Sequence, residues 1–309
     1  MVCETVLDAV GNTPLLRLNR MTGPEDAEVL VKYEGLNIGG SIKTRTALQM
    51  IRAAEEAGAL RPDSIIVEPT SGNQGIGLAL VGAVKGYRVI IVMPDSVSEE
   101  RRLLIRQYGA ELVLIHDEDN IGECIDRCIE TARRMQREDP RVFFPDQFSN
   151  PENVNAHLKA TALEILRQAE GGVDGFCSGI GTGGTITGIG QVLRQANPEM
   201  LIWAAEPENA AILSGGSIGS HVQMGIGDGL IPPILDREIF SRIEIVTDKE
   251  AIETTKDLAK KEGILCGISS GTNVCAALRM ARLLGKGKRV VTVLPDTGER
   301  YFSTDLFEH

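Results

Sequence analysis

The 309-residue chain is 42% hydrophobic and 24% charged, the balance of a globular protein that can bury a sizeable core without disulfide or metal staples. Its 32 Lys and Arg stand against 43 Asp and Glu, a net charge of −11, which argues against nucleic-acid or membrane binding as its main task, and no apolar run is long enough to span a bilayer. Six cysteines without a C-x-x-C pair, and a start at Met1-Val2-Cys3-Glu4 without basic or apolar signal regions, lead us to expect free thiols and a cytoplasmic location.

The first informative stretch is 37–45, NIGGSIKTR. Lys43 follows Gly39-Gly40-Ser41 and begins a helix whose apolar stripe, Ala47, Met50, Ile51 and Ala54, has the i, i+3, i+4, i+7 spacing, with Gly58 placed to cap its end. Strands are predicted at 64–69, 87–94, 110–115, 173–180, 201–207, 242–247 and 289–295. Several, such as Val89-Ile90-Ile91-Val92, are almost continuously apolar, as parallel strands covered on both faces are. A second helical stripe, Leu158, Ala162, Ile165 and Leu166, lies between them; both stripes read as core packing. The alternation predicts an α/β fold with one or two open, mostly parallel sheets, and the loop 144–154 marks a crossing between lobes.

Ligands of such sheets bind at loops after the strand ends. Four of these are rich in Gly and hydroxyl residues: 37–45, 70–75 (TSGNQG), 179–185 (GIGTGGT) and 267–271 (GISSG). The third satisfies G-x-G-x-x-G, with Glu206 about twenty residues on, which leaves a dinucleotide-dependent oxidoreductase as a competing reading and a structural turn as the plain one. Physically, glycine amides at a helix start hold a phosphate, with Thr182 and Thr185 as further donors. Lys43 favours a different cofactor. A lysine at a helix N-terminus opposes the helix dipole, which helps supply the neutral amine that imine formation requires.

At this point the chain resembles the cysteine synthase (O-acetylserine sulfhydrylase) and cystathionine β-synthase group of fold-type II pyridoxal-phosphate (PLP) enzymes. The match runs in order from Gly11-Asn-Thr-Pro-Leu15 through NIGGSIKTR, EPTSGNQGIGLA, Gln147-Phe148-Ser-Asn-Pro151, GTGGTITG, GIGDGLIP and GISSG to Pro295-Asp-Thr-Gly-Glu-Arg-Tyr301. The resemblance implies two lobes with the site between them: 1–40 and 148–309 as the larger, cofactor-binding lobe, and 41–147 as a smaller, mobile one. It implies Lys43 as the Schiff-base lysine and Cα base, Asn73 at the cofactor's 3′ oxygen, Gly181, Thr182, Gly183, Gly184 and Thr185 at its phosphate, and Ser269 at its pyridine nitrogen. Thr70, Ser71, Gly72, Asn73 and Gln147 would take the substrate carboxylate. A serine at the ring nitrogen leaves a weaker electron sink, so that loss of a β-substituent, giving an aminoacrylate, outpaces transamination.

The implied activity is β-replacement on a serine-type amino acid, O-acetylserine plus sulfide to cysteine first among the choices. A cysteine β-lyase, another β-synthase (lanthionine, cyanoalanine, cystathionine), or a silent relative are the alternatives. A homodimer and a serine acetyltransferase partner are also implied. Four positions depart from the family: Ile38 stands for Pro, Thr44 for Asp, Gln74 for Thr, and Asp228 for a small residue. Gln74 lies in the substrate loop, and Asp228 adds a carboxylate near the expected site mouth that would alter the second half-reaction. Cys124 and Cys128 share a helix face without a neighbouring His, so no metal is expected there. His116, His157, His221 and His309 are scattered, with His157 read as a surface or packing residue.

Overall fold

All seven runs expected as strands form strands in the computed structural model, which describes residues 2–118, 121–304 and 306. Met1 and His309, named above, lie outside these. The chain opens with β1 (Leu15–Arg17) and β2 (Glu28–Tyr33), followed by α1 (Lys43–Glu56), β3 (Ile65–Pro69), α2 (Asn73–Lys85), β4 (Arg88–Pro94), α3 (Glu99–Gln107), β5 (Glu111–Ile115), α4 (Ile121–Glu138) and β6 (Val142–Phe143). After the loop that begins at Phe144 come α5 (Pro151–Ala156), α6 (Ala162–Gln168), β7 (Gly175–Gly179), α7 (Gly184–Ala196), β8 (Leu201–Pro207), β9 (Arg242–Val246), α8 (Asp248–Asp257), α9 (Ile268–Leu284) and β10 (Arg289–Leu294).

The strands form two sheets. One, in the order β5-β4-β3-β6, is wholly parallel; the other, β1-β2-β10-β7-β8-β9, is parallel apart from the antiparallel β1–β2 pair. β3 is buried at every residue and β4 at every residue after Arg88, as a sheet covered by helices on both faces requires. β2 escaped the sequence reading because Glu28 and Lys32 interrupt its apolar run; β1 and β6 are too short to carry a pattern.

Both helical stripes pack as expected. Ala47, Met50, Ile51 and Ala54 are buried, and Gly58, at φ +69, closes the end of α1. Ala162 and Ile165 are buried, with a one-turn π-helix at His157–Thr161 joining α5 to α6.

A buried ion network anchors the start of α1. Arg45 donates to Glu34 at 2.7 and 2.9 Å and to Glu164 at 2.7 and 2.8 Å, and Lys32 on β2 reaches Glu164 at 2.7 Å. Removing one partner of such a group leaves an uncompensated buried charge, at a cost of about 3–5 kcal/mol. Two residues before Arg45, Lys43 is therefore fixed against the larger sheet.

Candidate active site

The loops that leave β3, β7 and β10 open on one cavity between the sheets, as the strand-end rule anticipates. At the β7 end, Gly183 has φ +80 and caps α7, so the amides of the first turn have no helical acceptor and turn toward the cavity. Gly181 admits no side chain: a Cβ there would lie 2.4 Å from the Gly225 carbonyl oxygen. Thr182 and Thr185 line the cavity, and two residues not assigned from sequence orient them. Asn153 Nδ2 donates to Thr182 Oγ1 at 2.8 Å, and His157 Nε2 pairs with Thr185 Oγ1 at 3.3 Å. Burial holds His157 well below its usual pKa, so it is neutral; it is a packing residue, and it lies behind the cradle, not at the surface. Gly184 stands against Asn153, outside the cavity lining. Amides and two hydroxyls form a donor set without a charged group of their own, which fits a single phosphate monoester.

Lys43 is the first residue of α1, and its side chain opens on the same cavity. Burial lowers its pKa, with Asp228 and Glu68 acting in the opposite direction. Desolvation is thus the largest cause of that lowering, in the same direction as the helix-dipole argument from sequence. Ser269, in the first turn of α9, is buried and lines the cavity beside it.

Thr70, Ser71 and Asn73 line the cavity from the β3 end. Asn73 is partly engaged: its Nδ2 donates to Asp296 Oδ2 at 2.6 Å and its Oδ1 accepts from Arg300 at 2.6 Å, leaving one N–H of the amide. Gly72 does not line the cavity. Its φ of +146 is a glycine conformation, and the Arg101 side chain fills the place a Cβ would take, with Cδ 2.3 Å away. Gln147 is held by Glu68, which accepts the Gln147 amide at 3.0 Å and the Asp146 amide at 3.0 Å. Burial pushes the Glu68 carboxyl up to about 8. Neither Glu68 nor Arg101 was singled out from sequence; Arg101 follows two acidic residues in an amphipathic helix and looks like solvent-facing charge.

Asp228 also faces the cavity, its Oδ2 3.5 Å from the ideal Cβ position of Gly181. Its side chain reaches open space while protein packs densely around it, and that desolvation raises its pKa against the pull of Lys43. Gln74 borders the cavity with its side chain engaged elsewhere: its Oε1 accepts from Thr46 Oγ1 at 2.7 Å, and its Nε2 meets the Met50 sulfur. The oxidoreductase reading loses its ribose-binding acid, because the Glu206 carboxylate is engaged by the Leu213 and Ser214 amides and the Ser214 hydroxyl. Cys124 and Cys128 are core thiols, the latter pushed up to about 12 by burial.

The model of a family described as "Pyridoxal-phosphate dependent enzyme" matches residues 6–296. A cysteine synthase of Staphylococcus aureus strain Mu50 is 46% identical over 305 residues, 98% of this chain and 97% of that one. A crystal structure of O-ureido-L-serine synthase is 42% identical with a TM-score of 0.92, covering 100% of this chain and 96% of that one. A hydrogen sulfide-producing enzyme from Fusobacterium nucleatum is 40% identical with a TM-score of 0.92, covering 97% of this chain and all of that one.

Proposed function

Because the chain belongs to the pyridoxal-phosphate-dependent enzyme family, we propose that it performs β-replacement on a serine-type amino acid, with O-acetylserine plus sulfide giving cysteine plus acetate as the leading reaction. It is a homologue of cysteine synthases over its full length. The observation that carries the reading is the meeting in one cavity of Lys43, the Gly181–Thr185 cradle and the Thr70–Asn73 loop. Bound there, pyridoxal phosphate supplies an electron sink for the pair left when the amino acid loses its Cα proton.

The chain's own residues do the rest. Thr182, Thr185 and the amides of 181–184 hold the phosphate; Ser269 meets the ring nitrogen, and the free N–H of Asn73 meets the 3′ oxygen. Lys43, whose pKa is lowered by burial, carries the cofactor and then moves the Cα proton at its Nζ. Thr70, Ser71, Asn73 and Gln147 bind the substrate carboxylate through amides and hydroxyls without a further charge, while the Gly72 amide is taken by Thr70 Oγ1. The smaller lobe, 41–147, closes on that carboxylate. A homodimer, a serine acetyltransferase partner and a cytoplasmic location complete the proposal on the strength of the resemblance.

Asp228 supports a second reading. A carboxylate there repels hydrosulfide where the local dielectric is low, and it suits deprotonation of water or binding of a second amino acid's ammonium group. Either shifts the balance toward cysteine breakdown or another β-replacement. Turnover with a panel of donors (O-acetylserine, cysteine, serine) and acceptors (sulfide, cysteine, homocysteine, cyanide, water) tests both. Cysteine formation from O-acetylserine and sulfide as the fastest reaction supports the first reading; sulfide release from cysteine as the fastest supports the second. No turnover with any pair overturns both.

A further inference from the structure

Arg101 is an uncommon residue to find 2% exposed. It sits in the first turn of α3, crosses to the other sheet, and stacks its guanidinium over the Tyr301 ring with 4.6 Å to the centroid. Its Nη2 donates to Tyr301 OH at 2.8 Å and lies 3.9 Å from Asp296 Oδ2. The other edge is poorly matched: among the described residues, Nη1 meets only the Met224 sulfur, at 2.8 Å, and Nε has no partner. A buried guanidinium with donors left over is costly unless an anion completes it. Asp296 faces only the Nη2 edge, at 3.9 Å, and Arg101 borders the active-site cavity, which leaves its remaining donors for an anion bound there.

Two features say what kind of ligand it belongs to. Asp228 borders the same cavity beside Gly181, so that one carboxylate and one incompletely paired guanidinium face the same space. Beyond them, a second cavity of about 250 Å³, room for far more than one water, shares Ser71, Met224 and Asp228 as its wall with the first. The first substrate's carboxylate is already served by Thr70, Ser71 and Gln147 on the reading above.

We propose that Arg101 and Asp228 form a subsite for the second substrate, a zwitterionic thiol amino acid whose carboxylate binds Arg101 and whose ammonium binds Asp228. This deepens the β-replacement reading and rests on it. The thiol sulfur forms a bond to the β-carbon of the first substrate, the bond from that carbon to the acetate oxygen breaks with its electron pair leaving on acetate, and the thiol proton is released. The exchange gives a thioether and acetic acid and needs neither oxidant nor reductant.

The test uses the PLP-loaded enzyme with O-acetylserine and four nucleophiles: cysteine, cysteamine (no carboxylate), 3-mercaptopropionate (no ammonium) and sulfide (neither). In the parent, kcat/KM for cysteine exceeds that for cysteamine by about 10- to 100-fold, the range for one charge-assisted hydrogen-bonded contact. Arg101→Gln collapses the cysteine-to-cysteamine ratio toward one, and Arg101→Lys, which keeps charge and most of the volume if the first variant fails to fold, gives an intermediate ratio. Asp228→Asn collapses the cysteine-to-3-mercaptopropionate ratio instead. Damage that is merely structural lowers both members of a ratio together. Equal use of cysteine and cysteamine by the parent, or a ratio unchanged in the Arg101 variants, overturns the subsite while sulfide turnover leaves the β-replacement reading standing. No product with any nucleophile, sulfide included, brings down both.

Discussion

The phosphate end of the cavity and its carboxylate end are made of different materials. At the first, backbone does the work: Gly181 and Gly183 bring main chain close to the ligand, and the start of α7 supplies amides from one contiguous run of sequence. At the second, side chains from distant segments interlock. Arg101 of α3 lies under Gly72, Asn73 of α2 bonds Asp296 and Arg300, and Glu68 of β3 holds the turn at Asp146 and Gln147. A backbone cradle tolerates change in its neighbours but not in its glycines. A side-chain network is open to tuning one residue at a time, and it is there that Gln74 and Asp228 depart from the family pattern.

Lys43 stands where the two ends meet, and its removal tests whether both serve one reaction. Lys43→Ala should lower β-replacement turnover by at least about 10³-fold, since the covalent attachment and the proton-moving group are lost together. Absorbance of the purified protein checks the assignment independently, because the band given by a lysine-linked cofactor should vanish. Parent-like activity and spectrum in this variant would remove Lys43 from the chemistry.

Gly183→Asp tests the cradle end alone. A side chain at φ +80 is strained, Leu235 leaves only 2.8 Å for its Cβ, and the new carboxylate repels a phosphate. Retention of PLP on dialysis should fall by on the order of 100-fold, the size of about two charge-assisted contacts, with the amino-acid end unaffected in fold. Undiminished retention would mean that the phosphate lies elsewhere.

The same contrast explains what was readable beforehand. The seven long strands, the α1 stripe and the Gly181–Thr185 loop are local patterns, and each stands where the sequence puts it. Sequence periodicity cannot reveal that Glu68, inside an apolar strand, faces a turn nearly eighty residues away, or that Arg101 is swallowed by Tyr301 and Asp296 across the cleft. Asn153 and His157 were equally hidden, because their partners Thr182 and Thr185 lie more than twenty-five residues on. Asp228 was visible only as a departure from a motif; its burial and its place beside Gly181 belong to the folded chain.

Glu68 offers a pH-dependent probe of the side-chain end. Its carboxyl titrates near about 8 in the folded protein against 4.5 for an ordinary glutamate. Between those values the native state holds a proton that the unfolded chain has released. Stability therefore falls as pH rises through this window, at a limit of about 1.4 kcal/mol per pH unit for one proton. Thermal melts of the PLP-loaded enzyme from pH 5 to 9 should show this decline in the parent and a flatter profile in Glu68→Gln. Parallel profiles would mean that Glu68 is ionised throughout and that its two backbone donors outweigh its burial.

The smallest expected effect concerns Asp228, and it bears most directly on which reaction the site favours. Its carboxylate sits beside Gly181, between the cradle and the outer cavity, where an incoming nucleophile must pass. Repulsion of hydrosulfide and attraction of an ammonium group act in opposite senses on synthesis and breakdown, so neither rate alone is diagnostic; the ratio of sulfide consumption to sulfide release is. Asp228→Ala should raise that ratio about fivefold, a barrier difference of ~1 kcal/mol, which is modest because Lys43 and Arg101 already offset part of the Asp228 charge. If both rates stay within about twofold of the parent, ~0.4 kcal/mol, Asp228 does not steer the second half-reaction. The departure from the family pattern at that position would then have no chemical consequence at this step.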